Sequence, residues 1–149
     1  MDVGILDNIK LRFGLGEVDV SSYSPLTLAF IGDCVFDLVV KTVMVEKANC
    51  PANKLHRKTS ALVKAESQSV MAKWLADNNI LTENEIAIYR RGRNAKSATT
   101  AKNASVGDYR RATGVEALIG YHYLSGNTER LVELIKLGME AVETGSANP

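Results

Sequence analysis

Residues 26–48 read LTLAFIGDCVFDLVVKTVMVEKA, and this stretch decides the fold of the chain. It is long and strongly apolar, and its length favours a helix over a strand even though valine is frequent in it. Ser24 is a favoured N-cap residue and Pro25 suits the first helical position, so the helix is predicted to begin there. Apolar residues surround almost its whole circumference near the middle, which is typical of a buried central helix.

Outward from this stretch, the apolar residues keep a helical spacing, and the sequence has no alternating strand pattern. Thr82 and Glu85 have the spacing of a capping box, and Gly126 is of a type favoured just after a helix. Residues 92–103 are polar, small and basic, and we interpret them as mostly loop. Further helices are predicted at about residues 52–77, 82–91, 105–124 and 128–143. The sequence therefore predicts an all-α fold.

A chain of 149 residues has the size of one ordinary domain. We expect a lead-in segment at residues 1–22, one helical domain at residues 23–144 and a disordered tail at residues 145–149. The sequence has no apolar run long enough to span a membrane and no signal-peptide pattern, so a cytoplasmic location is expected. Cys34 and Cys50 fit a reduced protein better than a disulfide framework, and they lack the spacing of a zinc site.

The formal net charge is only +1, but cations are concentrated at residues 90–111, where Asp108 is the only acid. Guanidinium groups, amides and backbone N–H groups in a small, polar segment suit contacts with the phosphates of a nucleic acid. A solvated charged face is the alternative interpretation. The predicted phosphate contacts are Arg90, Arg91, Arg93, Asn94, Lys96 and Arg110.

A second basic patch contains Lys54 and His56, at the start of a predicted helix. Both residues are candidate RNA contacts, although a single histidine at such a place is more often structural or incidental. We include the two residues in the predicted RNA-binding surface and leave the structural alternative open.

Three acids occur within strongly apolar helical runs. Asp33 and Asp37 are one turn apart in the first long helix, and Glu116 is flanked by small and apolar residues. Burying a carboxylate without a partner is unfavourable, so such a group needs a cation, a metal ion or strong hydrogen bonds. Oxygen ligands on rigid helices suit Mg²⁺, with Asp33 and Glu116 as the main ligands and Asp37 as a further one. The alternative is that these side chains point to solvent.

Three short motifs, in this order, resemble those of the ribonuclease III family. Residues 30–35, FIGDCV, resemble the centre of the family signature, and residues 115–120, VEALIG, resemble its second carboxylate motif. Residues 90–97, RRGRNAKS, look like the hallmark of Mini-ribonuclease III, the small bacterial branch of that family. The similarity extends over about residues 24–143, which is nearly the whole chain.

This resemblance implies an all-α endonuclease domain that works as a homodimer. It implies Mg²⁺-dependent hydrolysis of double-stranded RNA to 5′-phosphate and 3′-hydroxyl ends, with Asp33 and Glu116 as the catalytic residues that hold the metal ion. The role that it suggests is maturation of the 23S ribosomal RNA precursor. Whether a ribosomal protein assists substrate binding is left open.

Two departures from the general family pattern matter. Ala29 and Thr113 stand where two further carboxylates would fall, which leaves the number of metal ions open. Only a short tail follows the last predicted helix, so we expect no double-stranded-RNA-binding domain, and affinity must come from the catalytic domain itself. The alternatives are a non-catalytic RNA-binding or ribosome-assembly protein on the same fold and, as a third reading, a plain helical interaction module.

Overall fold

The computed structural model describes residues 4–96 and 105–145. This part of the chain consists of helices and connecting segments without a strand, so the predicted all-α class is confirmed. None of its helices is long and apolar enough to cross a membrane. Its α-helices are α1 (Ile5–Arg12), α2 (Pro25–Lys47), α3 (Ala52–Val63), α4 (Ala65–Asp77), α5 (Glu83–Asn94), α6 (Val106–Leu124) and α7 (Thr128–Gly145).

The predicted start of α2 is confirmed. The Ser24 side chain accepts a hydrogen bond from the Thr27 backbone N–H at 3.2 Å, and Pro25 is the first helical residue. The expectation of a buried central helix is wrong for α2, however, because this helix buries one face only. Phe36 is buried, whereas Phe30 is 76% exposed. The apolar circumference of α2 thus includes a face that the described residues leave uncovered.

The central helix is α6, which packs against α2, α4, α5 and α7. Its buried residues lie between Ala112 and His122 and include Gly114, Ala117 and Gly120. Small residues of this kind let neighbouring helices approach closely. The main apolar core forms around α6 from residues of every helix from α2 to α7.

The contact of α2 with α6 depends on two glycines. A Cβ atom built on Gly32 would lie 1.7 Å from the Glu116 carbonyl oxygen, and one built on Gly120 would lie 2.0 Å from the Leu28 carbonyl oxygen. Neither position accepts a larger residue unless the helices separate, because backbone atoms cannot move aside as a flexible side chain can. The two backbones therefore touch here, and this contact fixes the positions of the residues next to it.

A second close contact joins α5 to α6. A Cβ atom built on Gly92 would lie 2.9 Å from the Gly114 Cα atom. Since α5 continues to Asn94, the interpretation of residues 92–103 as mostly loop is wrong for their first three residues. Helical geometry persists there because packing of the buried Gly92 against α6 outweighs the low helix propensity of glycine. Residues 97–104 lie outside the described part of the chain.

Two further boundaries differ from the prediction. The predicted helix at residues 52–77 is two helices, α3 and α4, because Lys64 is extended between them, with φ −68° and ψ 156°. The Ser67 hydroxyl donates to the Ala61 carbonyl at 2.6 Å across this bend. The lead-in at residues 1–22 contains α1, which the sequence analysis missed. This helix has no buried residue, so it has no core-facing stripe for a sequence pattern to reveal.

The predicted helix-end signals are present in the structure. Thr82 and Glu85 form the capping box, since the Thr82 hydroxyl accepts from the Glu85 N–H at 3.1 Å and the Glu85 carboxylate accepts from the Thr82 N–H at 2.9 Å. Gly126 follows α6 with φ +75°, a conformation that favours glycine. Of the predicted disordered tail, Gly145 is the last helical residue, and residues 146–149 lie outside the described part.

The Glu85 carboxylate is only 3% exposed and joins α5 to α6 and α7. Arg130 donates to both of its oxygens, at 2.7 and 2.9 Å, and His122 Nε2 lies 2.7 Å from Glu85 Oε2. Burial alone would raise the pKa of Glu85, but the hydrogen bonds that the carboxylate accepts, above all from Arg130, outweigh burial and lower the pKa to about 2. The carboxylate therefore stays ionised in the folded state at neutral pH.

We predict that Glu85→Gln lowers the free energy of unfolding at neutral pH by about 3 kcal/mol, because Arg130 is left beside a neutral amide. The lowered pKa means that the stabilisation by Glu85 is complete above its ordinary value of 4.5 and is lost as the pH falls toward about 2. Urea denaturation over this acidic range should show the loss in the unmutated protein and much less of it in the variant. Glu83→Gln, at an exposed position of the same turn, is the control, and equal acid sensitivity of all three proteins would contradict the assignment.

Candidate active site and nucleic-acid interface

Two carboxyl groups meet where α2 contacts α6. Asp33 directly follows Gly32, which lies against the Glu116 backbone, so the contact between the helices brings these two acids together. Asp33 is exposed and Glu116 is half-buried. The Asp33 side chain is close enough to the Glu116 carboxyl group for a side-chain hydrogen bond between them. The two main metal ligands predicted from the sequence are therefore neighbours in the structure.

The Glu116 carboxyl group resists ionisation in the protein alone. Burial makes the largest contribution, and the hydrogen bond to Asp33 and the negative charge of Asp33 add to it, so the pKa of Glu116 is raised to about 9. The proton compensates the charge that two adjacent carboxylates would otherwise share. A divalent cation would compensate the same charge, and carboxylate oxygens are ligands that Mg²⁺ prefers. The chemistry of this pair therefore fits a magnesium ion.

Asp37 has a different partner. Its Oδ2 atom lies 2.8 Å from Lys41 Nζ, one turn further along α2, in an ion pair at the surface. Within residues 4–96 and 105–145, no group of three or more His, Cys, Asp or Glu side chains is arranged to hold a metal ion. The pair thus offers two protein ligands, which suits an ion that keeps several waters and binds phosphate oxygens. That Asp37 is a further ligand stays an untested prediction.

The two positions that lack the family's other carboxylates lie one turn before each acid. Ala29 is buried with Leu28 and Ala117, and Thr113 is buried with its hydroxyl donating to the Tyr109 carbonyl at 3.0 Å. Both side chains are neutral and well accommodated between the helices. The wall behind the carboxyl pair is therefore uncharged, so the described part of this site has two acidic groups where the general family motif has four.

Most of the predicted phosphate contacts lie on the last turns of α5 or just after it. The exposed ones are Arg90, Arg91, Asn94 and Lys96. Arg93 is half-buried, with its guanidinium carbon 5.7 Å from the centre of the Tyr89 ring. Its Nε–H donates to Asn94 Oδ1 at 3.3 Å. We call these residues the basic end of α5. Within it, the Arg93 guanidinium contacts both Tyr89 and Asn94.

Arg110 and Arg111 are neighbours on α6 but have different surroundings. Arg110 is exposed, as a phosphate contact requires. Arg111 donates from Nε to Ser69 Oγ at 2.6 Å and pairs with Asp108 at 3.2 Å, so it ties α6 to α4 and its charge is already compensated. The sequence gives no sign of this difference, because both arginines stand in the same basic run.

The second basic patch lies on α3. Lys54 and His56 are exposed, and His56 lines a cavity of about 340 Å³ together with Lys41 and Val45 of α2. No hydrogen bond or ion pair within the described residues links this patch to the carboxyl pair or to the basic end of α5. Its assignment to an RNA-binding surface stays a prediction.

One residue beside the predicted contacts was missed by the sequence analysis. Tyr89 is 7% exposed, and its ring lies against the α6 backbone at Gly114, where a Cβ atom would be 2.7 Å from two of the ring carbons. The spacing of four residues between Tyr89 and Arg93 was the available signal, because such residues are neighbours on a helix surface.

Comparison with known proteins identifies the family. The profile of the Ribonuclease III domain matches residues 26–127, which include both acids of the pair. The chain is 46% identical over 141 residues to the Mini-ribonuclease 3 of Thermoanaerobacter sp. (strain X514), covering 95% of this chain and 96% of that protein. It is 45% identical over 142 residues to the Mini-ribonuclease 3 of Clostridium tetani, covering 92% and 93%. The chain belongs to the Mini-ribonuclease III branch of the ribonuclease III family.

Structural comparison agrees with this membership. A crystal structure of a protein from Fusobacterium nucleatum superposes with a TM-score of 0.74 at 30% identity, covering 83% of this chain and 98% of that one. The predicted ribonuclease III-type fold is confirmed. As a member of the Mini-ribonuclease III branch, the chain is an endoribonuclease, and the alternatives of a non-catalytic RNA-binding protein and a plain interaction module are not supported.

We predict that Glu116→Gln stabilises the metal-free Mini-ribonuclease III fold. Because the pKa of Glu116 rises from 4.5 to about 9, the folded state keeps a proton that the unfolded chain releases, and stability falls as the pH rises through this interval. The neutral amide removes this penalty. The gain near neutral pH is at most about 3 kcal/mol, because the half-buried carboxyl group keeps part of its solvation.

Urea denaturation in EDTA, across the interval between the two pKa values, measures this effect. The unmutated protein should lose stability with rising pH relative to the variant, and the difference should grow toward the alkaline end. Glu46→Gln, at an exposed position of α2, should follow the unmutated protein. A constant difference across the interval, or a less stable Gln variant, would show that Glu116 does not carry a buried proton.

Proposed function

We propose that the chain is a Mg²⁺-dependent endoribonuclease that hydrolyses double-stranded RNA in the cytoplasm, leaving 5′-phosphate and 3′-hydroxyl ends. The observation that supports this most directly is the Asp33–Glu116 pair, where the contact of α2 with α6 brings two carboxyl groups from separate helices together. Structural carboxylates are usually satisfied by cations or N–H groups, whereas two acids held together are typical of sites prepared for a metal ion or for proton transfer.

Asp33 and Glu116 are the residues that would hold Mg²⁺. When bound, the ion lowers the pKa of a coordinated water and stabilises negative charge on the scissile phosphate. Glu116 would release its proton on becoming a ligand, since its carboxyl group is protonated in the protein alone. The contact of Gly32 with the Glu116 backbone fixes the separation of the two backbone segments that carry these side chains.

The basic end of α5 and Arg110 would contact the phosphates on either side of the cleaved bond. Charge neutralisation by these residues is independent of base sequence. A-form RNA displays its 2′-hydroxyls and shape rather than a readable major groove, so the enzyme should select duplexes by form more than by sequence. Lys54 and His56 would extend this surface beside α3 if the duplex runs that far.

A homodimer completes this proposal. Leu26, Phe30, Cys34 and Leu38 are exposed and recur every four residues, so they form one apolar stripe along α2. A continuous apolar stripe exposed to water is typical of a surface that contacts another molecule. A two-fold pairing of identical stripes is the simplest way to cover it. Asp33 lies on the same helix, within the length of this stripe, so the pairing would bring one carboxyl site from each protomer to the shared helix region, one site for each strand of a duplex.

The natural substrate that we propose is the 23S ribosomal RNA precursor. The support is the RRGRNAKS motif at residues 90–97 together with the similarity to Mini-ribonuclease 3 proteins over nearly the whole chain. A ribosomal protein that presents this RNA would be consistent with a catalytic domain of this size, and co-purification of the pre-ribosomal particle tests it. The lead-in at residues 1–22, the domain at residues 23–144 and the tail are the organisation that we propose for the chain.

We predict that Asp33→Asn and Glu116→Gln each reduce cleavage of a long RNA duplex by about a thousandfold or more, because each removes a charged ligand without changing side-chain shape. Duplex binding in EDTA should persist, since the basic end of α5 is untouched. Cleavage in Mg²⁺, binding in EDTA and melting temperature should be measured on the same samples.

Glu46→Gln is the matched control on the same helix, because Glu46 is exposed and is not a predicted ligand. Cleavage within a few-fold of the unmutated protein is expected for it. Full cleavage by the Asp33 and Glu116 variants, or activity that disappears only with the fold, would refute the assignment. Asp37→Asn decides separately whether Asp37 is a further ligand: loss of cleavage would make it one, and near-normal cleavage would leave it only as the surface partner of Lys41.

We predict that Phe30→Asp converts a dimer into a monomer, because it places a charge in the centre of the apolar stripe. Sedimentation velocity at micromolar concentration should report twice the chain mass for the unmutated protein and the chain mass for the variant. Leu11→Asp, at the 74% exposed Leu11 of α1, is the control and should remain dimeric. A monomeric unmutated protein, or a dimeric Phe30 variant, would rule out pairing through this stripe.

A further inference from the structure

The Tyr89 ring has the α6 backbone on one side and the Arg93 guanidinium on the other. One edge of the ring lies against the α6 backbone, because Gly114 has no side chain there and a Cβ atom would be 2.7 Å from the ring. The residue is 7% exposed. A ring packed in this way is restricted in its orientation, so it offers a fixed surface to a neighbouring side chain.

The group beside this ring is the guanidinium of Arg93. Its central carbon lies 5.7 Å from the ring centre, within the range of a cation–π contact. Gly92, the preceding residue, packs on the α6 backbone next to Gly114, so the α5 backbone is fixed at the same point. An arginine side chain ordinarily has many rotamers, and the ring and the Asn94 amide oxygen restrict them here.

Arg93 has no compensating acid among residues 4–96 and 105–145, where no carboxylate pairs with its guanidinium. This distinguishes it from two other partly buried arginines. Arg111 pairs with Asp108, and Arg130 pairs with Glu85. A guanidinium that is held in place and left uncompensated is prepared to accept an anion from outside the chain.

We propose that Tyr89 is a positioning residue, which orients the Arg93 guanidinium toward a phosphate of the RNA duplex. This inference rests on the proposed function, in which Arg93 contacts the RNA backbone. A restrained guanidinium loses less rotamer freedom when it binds, so the contribution of the ring appears as affinity for the duplex. The ring does not touch the reacting atoms in this assignment, and kcat for bound RNA should change less than KM.

The experiment is a double-mutant cycle of Tyr89→Leu and Arg93→Ala. Binding is measured by fluorescence anisotropy on a fluorescein-labelled, blunt RNA duplex of mixed sequence in EDTA. Tyr89→Leu should weaken binding roughly two- to fivefold, as expected for one cation–π contact. Tyr89→Phe keeps the ring but removes the hydroxyl, which also interacts with Arg93, so it should restore only part of this affinity. In the Arg93→Ala background, Tyr89→Leu should cause no further loss.

A merely structural role for the ring would give a different pattern. Ile86→Ala is the matched control, because Ile86 packs α5 against a second apolar cluster, formed by Leu75, Leu81, Ile88, Leu118 and Leu134. It should lower the melting temperature and leave the affinity of the folded protein unchanged. An equal loss on Tyr89→Leu in both backgrounds, or no loss in the unmutated background, would overturn the positioning role.

The cycle also separates this inference from the proposed function. Arg93→Ala should reduce the slope of log affinity against log salt by about one, the expectation for one phosphate contact. If Arg93→Ala leaves affinity and slope unchanged, Arg93 does not contact phosphate and both the inference and that part of the proposal fail. If Arg93→Ala has the expected effect and Tyr89→Leu has none, only the positioning role fails.

Discussion

The backbone contact between α2 and α6 is the constraint on which the rest of the structure depends. A Cβ atom on Gly32 would lie 1.7 Å from the Glu116 carbonyl oxygen, and one on Gly120 would lie 2.0 Å from the Leu28 carbonyl oxygen. Two helices that touch in this way cannot slide or rotate past each other without a clash. The backbone positions of Asp33 and Glu116, which stand beside the contact, are therefore fixed relative to each other.

The pKa values of two carboxyl groups with restricted access to solvent shift in opposite directions in this fold. Glu85 is surrounded by Arg130, His122 and a backbone N–H, and its pKa falls to about 2. Glu116 is half-buried beside another acid, and its pKa rises to about 9. The first arrangement stabilises the junction of three helices. The second destabilises the metal-free protein at neutral pH. This cost fits a site where a bound cation is expected to compensate the charge in place of the proton.

The arginines divide in the same manner. Arg111 and Arg130 are paired with acids and join helices, so they belong to the scaffold. Arg93 lies against the Tyr89 ring, and the described residues provide it with no carboxylate. Arg93 and Arg111 thus belong to the same basic region, residues 90–111, and the difference is set by the side chains that each of them meets in the folded chain. The concentration of positive charge at residues 90–111 shows where a binding surface could lie. It does not show which arginines pair with acids inside the protein and which remain available for phosphate.

The sequence by itself determined the helical class, the start of α2 at Ser24 and Pro25, and the capping box at Thr82. These features depend on residues close in the chain, where hydrogen bonds between a side chain and the next turn decide the conformation. Sequence motifs also identified Asp33 and Glu116 as candidates. Their neighbouring positions, however, depend on the packing of two helices distant in sequence.

Only the tertiary structure decided which residues share a site and which helix is central. The apolar content of α2 predicted a buried helix, but α6 takes that position because its glycines and alanines allow four helices to approach it. The continuation of α5 to Asn94 is likewise a result of packing, because Gly92 lies against the α6 backbone. Local propensity is a weak preference of less than about 1 kcal/mol per residue, and burial against a neighbouring helix outweighs it.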